Sequence, residues 1–269
     1  METAAELELV TDTLIITSTH LNREVTLSLF LPKNVVNPAT ISLLLINDGQ
    51  DMPVMGYDKI LHDLYQQNAI HPVLSVAIAA GNERTQEYGV AKKKDYLGRG
   101  TKAGAYSKFI LKELLPFIKE TYQVPEFKEI AFAGFSLGGL SALDMVWSHP
   151  DIFSKAGIFS GSLWWRSVDQ HDKKYDDDKH RIMQQQIRKG TYAPGLKFFF
   201  ECGKLDESGD RNNNGIIDSI DDTLDHIKEL LTKGYKPEDI AYLELEEGKH
   251  DVATWGLAMP AFLKWGWGK

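Results

Sequence analysis

The chain has 269 residues, of which 43% are hydrophobic, and a formal net charge of −8 at pH 7. This length and composition are sufficient for a full hydrophobic core, and we predict one domain that spans residues 1–269. The acidic balance argues against a nucleic acid or an anionic membrane as partner, because binding phosphates requires a basic face. The one cysteine, Cys202, excludes an intramolecular disulfide.

The start of the chain carries no recognisable targeting signal. Residues Met1 to Val10 are acidic in part and lack the basic region and long apolar core of a secretory signal. No stretch has the length of apolar sequence that spans a bilayer. We therefore expect a cytoplasmic protein, or a secreted one if a signal peptide has been removed.

Strand-like and helix-like segments alternate along the chain. In chain order, the predicted strands are Leu7–Thr17, Glu24–Leu31, Ile41–Ile46, Val73–Ala79, Glu129–Ala133, Lys155–Phe159, Leu196–Glu201 and Ile240–Leu245. The predicted helices are Tyr57–Gln67, Ala103–Thr121, Leu137–Ser148, Ser219–Thr232 and Val252–Trp265. The later strands are mostly continuously apolar, which is typical of a parallel sheet covered on both faces.

Two other segments complete the predicted architecture. A short turn near His20-Leu21-Asn22 joins the first two strands, which predicts an antiparallel hairpin at one edge of the sheet. The polar stretch Asp169–Lys179 is predicted to be a surface insertion or a lid. The fold class is therefore α/β, with a mostly parallel central sheet, helices on both faces and an antiparallel edge hairpin.

A serine lies between glycines where a predicted strand passes into a predicted helix. The segment Gly134–Gly139 reads Gly-Phe-Ser-Leu-Gly-Gly, and this is the layout of a nucleophile elbow. The sharp turn strains the serine backbone, so small neighbours are needed at Gly134 and Gly138. We predict that Ser136 is a nucleophile, with the N-terminus of the next helix directed at a developing oxyanion. The alternative is a plain glycine-rich turn.

An activated serine needs a base and a carboxylate behind that base, and in α/β-hydrolases the chain order is serine, acid, histidine. His250 follows the last predicted strand and precedes a helix, so we predict that it is the base. The loop after Leu196–Glu201 offers several carboxylates. Asp206 is the first choice for the acid, Glu207 the second and Asp210 the third.

The oxyanion hole of this reaction normally combines two backbone amides. The amide of Leu137 follows the nucleophile, and the amide of Gln50 lies in the turn after the third predicted strand. We predict these two as the donors. An ordinary Asx/Gly turn that ends the strand is the alternative for the second site.

The chain resembles the putative-esterase family, which contains esterase D, enterochelin-esterase-like hydrolases, feruloyl esterases and mycolyltransferases. The resemblance covers roughly Leu9 to Trp265. It is carried by Asp48-Gly49-Gln50, Arg84 with Glu87-Tyr88, Glu113–Pro116, Gly134–Gly139 and Ser160–Trp165. It implies an α/β-hydrolase fold, serine-dependent ester chemistry, and Ser136, Asp206 and His250 as nucleophile, acid and base. At the oxyanion turn the family often has His-Gly, where this chain has Asp48-Gly49.

The segment Asp210–Asp221 matches a calcium loop of the EF-hand type. Oxygen-bearing side chains stand at places one, three, five, nine and twelve, with glycine at six. The predicted ligands are Asp210, Asn212, Asn214, the Ile216 carbonyl, Asp218 and Asp221. We expect a structural Ca²⁺ here, although the last place holds aspartate in place of glutamate and no helix precedes the loop. The alternative is a polar turn in which Asp218 caps the following helix.

These observations predict a serine esterase that acts on a small-molecule, sugar or aryl ester and needs no cofactor for catalysis. Trp164 and Trp165 are candidates for the walls of the substrate pocket, with packing residues as the alternative, and Tyr88 and Tyr96 are weaker candidates. An acyltransferase that uses the same acyl-enzyme is the nearest alternative, and a serine peptidase is a more distant one. A calcium-stabilised binding module with a vestigial triad is the alternative outside catalysis.

Overall fold

The computed structural model describes residues 8–33 and 41–269. Its strands are β1 (Leu9–Ser18), β2 (Arg23–Pro32), β3 (Ser42–Asn47), β4 (Val73–Ile78), β5 (Ile130–Phe135), β6 (Lys155–Phe159), β7 (Lys197–Leu205) and β8 (Ile240–Lys249). They form one eight-stranded sheet in the order β1-β2-β4-β3-β5-β6-β7-β8. β2 runs antiparallel to both β1 and β4, and all other neighbours are parallel. The predicted sheet and edge hairpin are confirmed; the predicted start at Leu7 lies outside the described residues.

Helices pack on both faces of the sheet. They are α1 (Met52–Met55), α2 (Tyr57–Gln66), α3 (Arg84–Glu87), α4 (Ala103–Lys108), α5 (Leu115–Thr121), α6 (Leu137–Ser148), α7 (Asp177–His180), α8 (Ile182–Lys189), α9 (Asp218–Lys233) and α10 (Val252–Trp267). A π-helical stretch, Phe109–Leu114, joins α4 to α5. Pro116 lies at the start of α5, and the wider turn before it accommodates a residue that cannot donate an amide hydrogen bond.

The central strand β3 shows why these strands are apolar at every position. Leu43 and Leu45 belong to the core on one face of the sheet, and Leu44 and Ile46 belong to the core on the other. All four are fully buried because successive strand residues point to opposite faces and helices cover both. None of the described helices has the length and apolar character needed to cross a membrane.

The structure departs from the predicted elements between β6 and β8. The predicted insertion Asp169–Lys179 lies in the β6–β7 connection, which ends in α7 and α8. α8 is not among the predicted helices, because its buried Met183 and Ile187 stand one turn apart among polar neighbours. β7 and β8 each extend four residues beyond their predicted ends, to Leu205 and Lys249. Asp206 and His250 therefore follow directly after the two strands.

Candidate active site

Ser136 occupies a strained turn between β5 and α6. Its backbone torsions are φ 53° and ψ −122°, a region that non-glycine residues rarely adopt. A side chain at Gly134 would collide with the backbone of Gly138, and a Cβ atom at Gly138 would lie 2.7 Å from a carboxylate oxygen of Asp48. The two glycines allow the turn to close, so the layout predicted for the nucleophile elbow is present.

The backbone amides predicted for the oxyanion hole lie at neighbouring turns. Leu137 is the first residue of α6, and its amide has no acceptor within the helix. Gln50 lies in a one-turn 3-10 helix, Gly49–Asp51, that closes through a 3.0 Å bond from the Asp51 amide to the Asp48 carbonyl. The side-chain amide of Asn47 donates to the Gly138 carbonyl at 2.8 Å and holds the two turns together.

The Asp48 side chain is buried and paired with Arg84. Arg84 donates from Nε and Nη2 to the two carboxylate oxygens at 2.6 and 2.8 Å. The backbone amide of Asp48, which has φ 62°, donates to the hydroxyl of Tyr88 at 3.2 Å. This ion pair fixes the turn that contains Gln50, the predicted second donor. Neither the role of Asn47 nor the pairing of Arg84 with Asp48 is visible in the local sequence pattern.

Asp206 and His250 are brought together by the pairing of β7 with β8. The last paired residues of the two strands are Leu205 and Lys249. Asp206 follows the first of them in the chain and His250 follows the second. Burial lowers the pKa of His250, the charge of Asp206 raises it, and Arg84 lowers it. Burial raises the pKa of Asp206, opposed by the Ser160 hydroxyl, the Gly203 backbone and His250.

The hydrogen bonds of the predicted triad are not closed in this structure. The Ser136 hydroxyl lies 3.4 Å from the Ser162 hydroxyl. Both Asp206 carboxylate oxygens are buried and accept no hydrogen bond from the described residues. The His250 ring packs edge-on against Trp255 with centroids 5.4 Å apart. Among the described residues, no hydrogen bond joins Ser136, His250 and Asp206 directly, and the triad stays a prediction.

Of the residues predicted to line the substrate pocket, Trp164 borders a cavity whose lining does not include Ser136, Asp206 or His250, and two others are buried. Trp164 borders a cavity of about 380 Å³ together with Tyr96 and Glu207. Trp165 and Tyr88 are fully buried, so neither side chain can touch a substrate here. Trp165 instead packs against Gly89 and Gly100, and Tyr88 supports Asp48 from inside.

A model of the family described as putative esterase matches residues 18–265 of the chain. The chain belongs to the putative esterase family. This membership makes the protein a carboxylic ester hydrolase. Curated relatives of this esterase include two uncharacterized proteins of Bacillus subtilis strain 168. YjcH is 26% identical over 252 residues, 92% of this chain and 93% of its own length, and YbbA is 24% identical over 208 residues, 76% of each.

Solved structures of esterases share the fold of this esterase. The enterobactin esterase FES of Shigella flexneri has a TM-score of 0.71 at 21% identity, over 96% of this chain and 59% of that protein. A ferulic acid esterase has a TM-score of 0.69 at 18% identity, over 96% and 97%. An IroE-like serine hydrolase of Shewanella oneidensis has a TM-score of 0.70 at 20% identity, over 95% and 80%. The predicted α/β-hydrolase fold is thereby confirmed.

The loop predicted to bind calcium is a hydrogen-bonded turn in this esterase. Asp210 accepts from the backbone amides of Asn214 and Gly215 at 3.1 and 2.9 Å, and Asp221 accepts from the side-chain amides of Asn212 and Asn214 at 2.8 Å each. The Ile216 carbonyl belongs to the same turn.

The Asp218 carboxylate, one of the predicted calcium ligands, is occupied by Arg211. Its carboxylate accepts from the Arg211 backbone at 2.9 Å and pairs with the Arg211 guanidinium at 3.1 Å. Among residues 8–33 and 41–269, no three His, Cys, Asp or Glu side chains gather in a way that could hold a metal ion. To form the predicted site, Asn212 and Asn214 would have to present their side-chain oxygens and Asp218 would have to leave Arg211. Calcium binding stays a prediction.

We predict that millimolar Ca²⁺ raises the melting temperature relative to EDTA, because an ion that binds only the native state stabilises it by mass action. At 100 times Kd the gain is about 2.7 kcal/mol, or roughly 5 °C or more for a chain of this size. Asp210→Ala should abolish the shift, and Asp58→Ala, outside the loop, should keep it. Equal melting temperatures for wild type in calcium and in EDTA would leave the loop a polar turn.

Proposed function

We propose that this esterase is a serine hydrolase that cleaves a carboxylic ester through Ser136, His250 and Asp206 with an acyl-enzyme intermediate. The observation that carries the proposal is the strained Ser136 turn at the N-terminus of α6, against which Asn47 holds the turn that contains Gln50. The order of the three residues along the chain is the order of α/β-hydrolases. We also propose that the catalytic machinery lies in one domain and needs no cofactor.

The nucleophile is activated by removal of its proton. In the proposed mechanism His250 takes the proton of Ser136 as the hydroxyl oxygen attacks the ester carbonyl, and returns it to the leaving alcohol. Burial and Arg84 lower the pKa of His250, which keeps the imidazole neutral at pH 7 and able to accept a proton. Water then attacks the acyl-enzyme with His250 as the base again.

The oxyanion forms on the carbonyl oxygen during both attacks. The amides of Leu137 and Gln50 are the proposed donors, because each lies at a helix start where no carbonyl of its own helix accepts it. Asn47 holds the Gln50 turn against α6, and Arg84 holds it through Asp48. The donors are therefore fixed before the charge develops.

Asp206 is supported as the acid over Glu207 by its surroundings. It follows Leu205, whose register partner precedes His250, and its negative charge raises the pKa of that histidine. Glu207 is exposed and borders the Trp164 cavity instead. For the substrate we propose a small-molecule ester with an aryl or sugar group, because an aromatic side chain, the partly buried Trp164, borders that cavity.

We expect Ser136→Ala to lose about four orders of magnitude or more in kcat with p-nitrophenyl acetate, because the triad works as a unit. The matched control is Ser162→Ala, which removes the neighbouring hydroxyl 3.4 Å away. It should stay within about tenfold of wild type, as expected for one lost neutral hydrogen bond. Wild-type activity in folded Ser136→Ala would refute the proposal.

We expect Asp206→Asn to lower kcat by about three to four orders of magnitude, since an amide cannot stabilise the imidazolium that forms. Glu207→Gln, the same change one residue along, should change kcat by less than about tenfold. The two variants are compared by steady-state kinetics after circular dichroism confirms folding. If Glu207→Gln were the more damaging change, the acid would be Glu207.

A further inference from the structure

A buried polar cluster lies behind the proposed triad acid. Glu201 on β7 is 1% exposed and Ser160, the residue after β6, is 2% exposed. The Ser160 hydroxyl accepts a 3.0 Å hydrogen bond from the Trp255 indole and reaches Oε2 of Glu201 at 3.5 Å. Its backbone has φ 42°, which holds it at the point where β6 leaves the sheet. The mechanism above uses neither Glu201 nor Ser160.

This cluster contains more acceptors than donors. Oε1 of Glu201 and both carboxylate oxygens of Asp206 are buried and have no hydrogen-bond donor among the described residues. Two ionised carboxylates in one buried region without donors are costly, because burial and mutual repulsion both disfavour the charged forms. One added proton relieves both penalties.

The surroundings decide which carboxyl holds that proton. Burial and the charge of Asp206 raise the pKa of Glu201 to about 8, against the opposing effect of Ser160. Asp206 is the member that also has His250 nearby, and this histidine lowers the pKa of Asp206. At pH 7 the proton therefore resides on Glu201.

The Ser160 hydroxyl connects the two carboxyls. A serine hydroxyl has one proton to donate and two lone pairs that accept. One lone pair takes the Trp255 N–H, and the other is free to take a proton from neutral Glu201. The Ser160 hydroxyl also lowers the pKa of Asp206, whose two buried carboxylate oxygens still lack a donor among the described residues. When Glu201 is an anion it competes for the same single proton.

We propose that Glu201 is a positioning residue for the triad: as a neutral carboxyl it donates to Ser160, and the Ser160 hydroxyl then donates to Asp206. This inference rests on the proposed function. In this arrangement Asp206 has one oxygen held by Ser160 and the other available to His250. Loss of the Glu201 proton turns the Ser160 hydroxyl toward Glu201 and leaves Asp206 without its donor.

The arrangement predicts a fall in activity as pH rises through the pKa of Glu201. The other titratable groups around Glu201 do not change charge there. Burial raises the pKa of Cys202 and of Tyr242 far above their usual ranges, so both stay neutral. Asp251 has a lowered pKa and stays an anion, and His250 has a lowered pKa and stays neutral. Ser160 and Trp255, on the elements packed against Glu201, carry no charge.

The test compares the pH profiles of kcat/KM for wild type and Glu201→Gln with p-nitrophenyl acetate, between pH 6.5 and about 9.5, with background hydrolysis subtracted. Wild type should lose about tenfold above pH 8, the lower range for a hydrogen bond to a charged group. The glutamine amide donates permanently and cannot ionise. Glu201→Gln should therefore keep activity at pH 7 within about threefold and show no alkaline fall.

Two further variants test whether the alkaline fall depends on Ser160 and on Glu201 in particular. Ser160→Ala removes the connecting hydroxyl, so it should lower kcat about tenfold at pH 7 with KM unchanged, and its profile should also lack the alkaline fall. Glu244→Gln changes a carboxyl on β8 that bonds Tyr242 and should keep the wild-type profile. If Glu201→Gln does not fold, Ser160→Ala decides.

Different results would contradict the positioning role of Glu201 and the proposed function. An unchanged alkaline fall in Glu201→Gln or Ser160→Ala, or no fall in wild type, would overturn the positioning role of Glu201. Activity that survives Ser136→Ala in the same assay would overturn the proposed function instead. If activity depends on Ser136 but the pH profile of kcat/KM is the same in wild type and Glu201→Gln, this inference alone is refuted.

Discussion

The close approach of two backbone segments at Ser136 is the constraint on which the candidate site depends. β5 enters α6 with so little space that a side chain at Gly134 would overlap the backbone of Gly138. The surrounding packing and backbone hydrogen bonds keep the serine in these strained torsions. One of the bonds runs from the Ser136 amide to the Phe159 carbonyl at 2.9 Å. The serine consequently lies directly before the first free amide of α6.

The remaining parts of the site are set by how the parallel strands end at this edge of the sheet. β7 and β8 approach each other closely at a bulge near Gly203, where a side chain would overlap the backbone of Gly248. The bulge lets the strands stay paired as far as Leu205 and Lys249, and it thereby sets Asp206 beside His250. Sheet register, more than loop conformation, positions the proposed acid and base. The turn proposed to supply the Gln50 amide depends in addition on an ion pair, since the buried Asp48 carboxylate requires the Arg84 guanidinium.

Local patterns were sufficient to predict the strands, the edge hairpin and the turn at Ser136, because apolar periodicity and glycine placement report on local geometry. They could not predict which side chains are buried. Trp165 and Tyr88 are residue types that commonly line pockets, yet tertiary packing buries both side chains. The choice of partner for a charged group is equally nonlocal: Asp218 stands at a calcium-ligand spacing but pairs with Arg211. The four added residues of β7 and of β8 depend on pairing between strands that are distant in sequence.

The central claim is that Ser136 is a nucleophile activated by His250. The most direct measurement is intact-mass and peptide-mapping mass spectrometry after reaction with a fluorophosphonate, which forms a covalent adduct with an activated serine. The account predicts one adduct per wild-type chain, located on the peptide that contains Ser136, and none on folded His250→Ala under the same conditions. An adduct on another residue, no adduct on wild type, or full labelling of His250→Ala would contradict it.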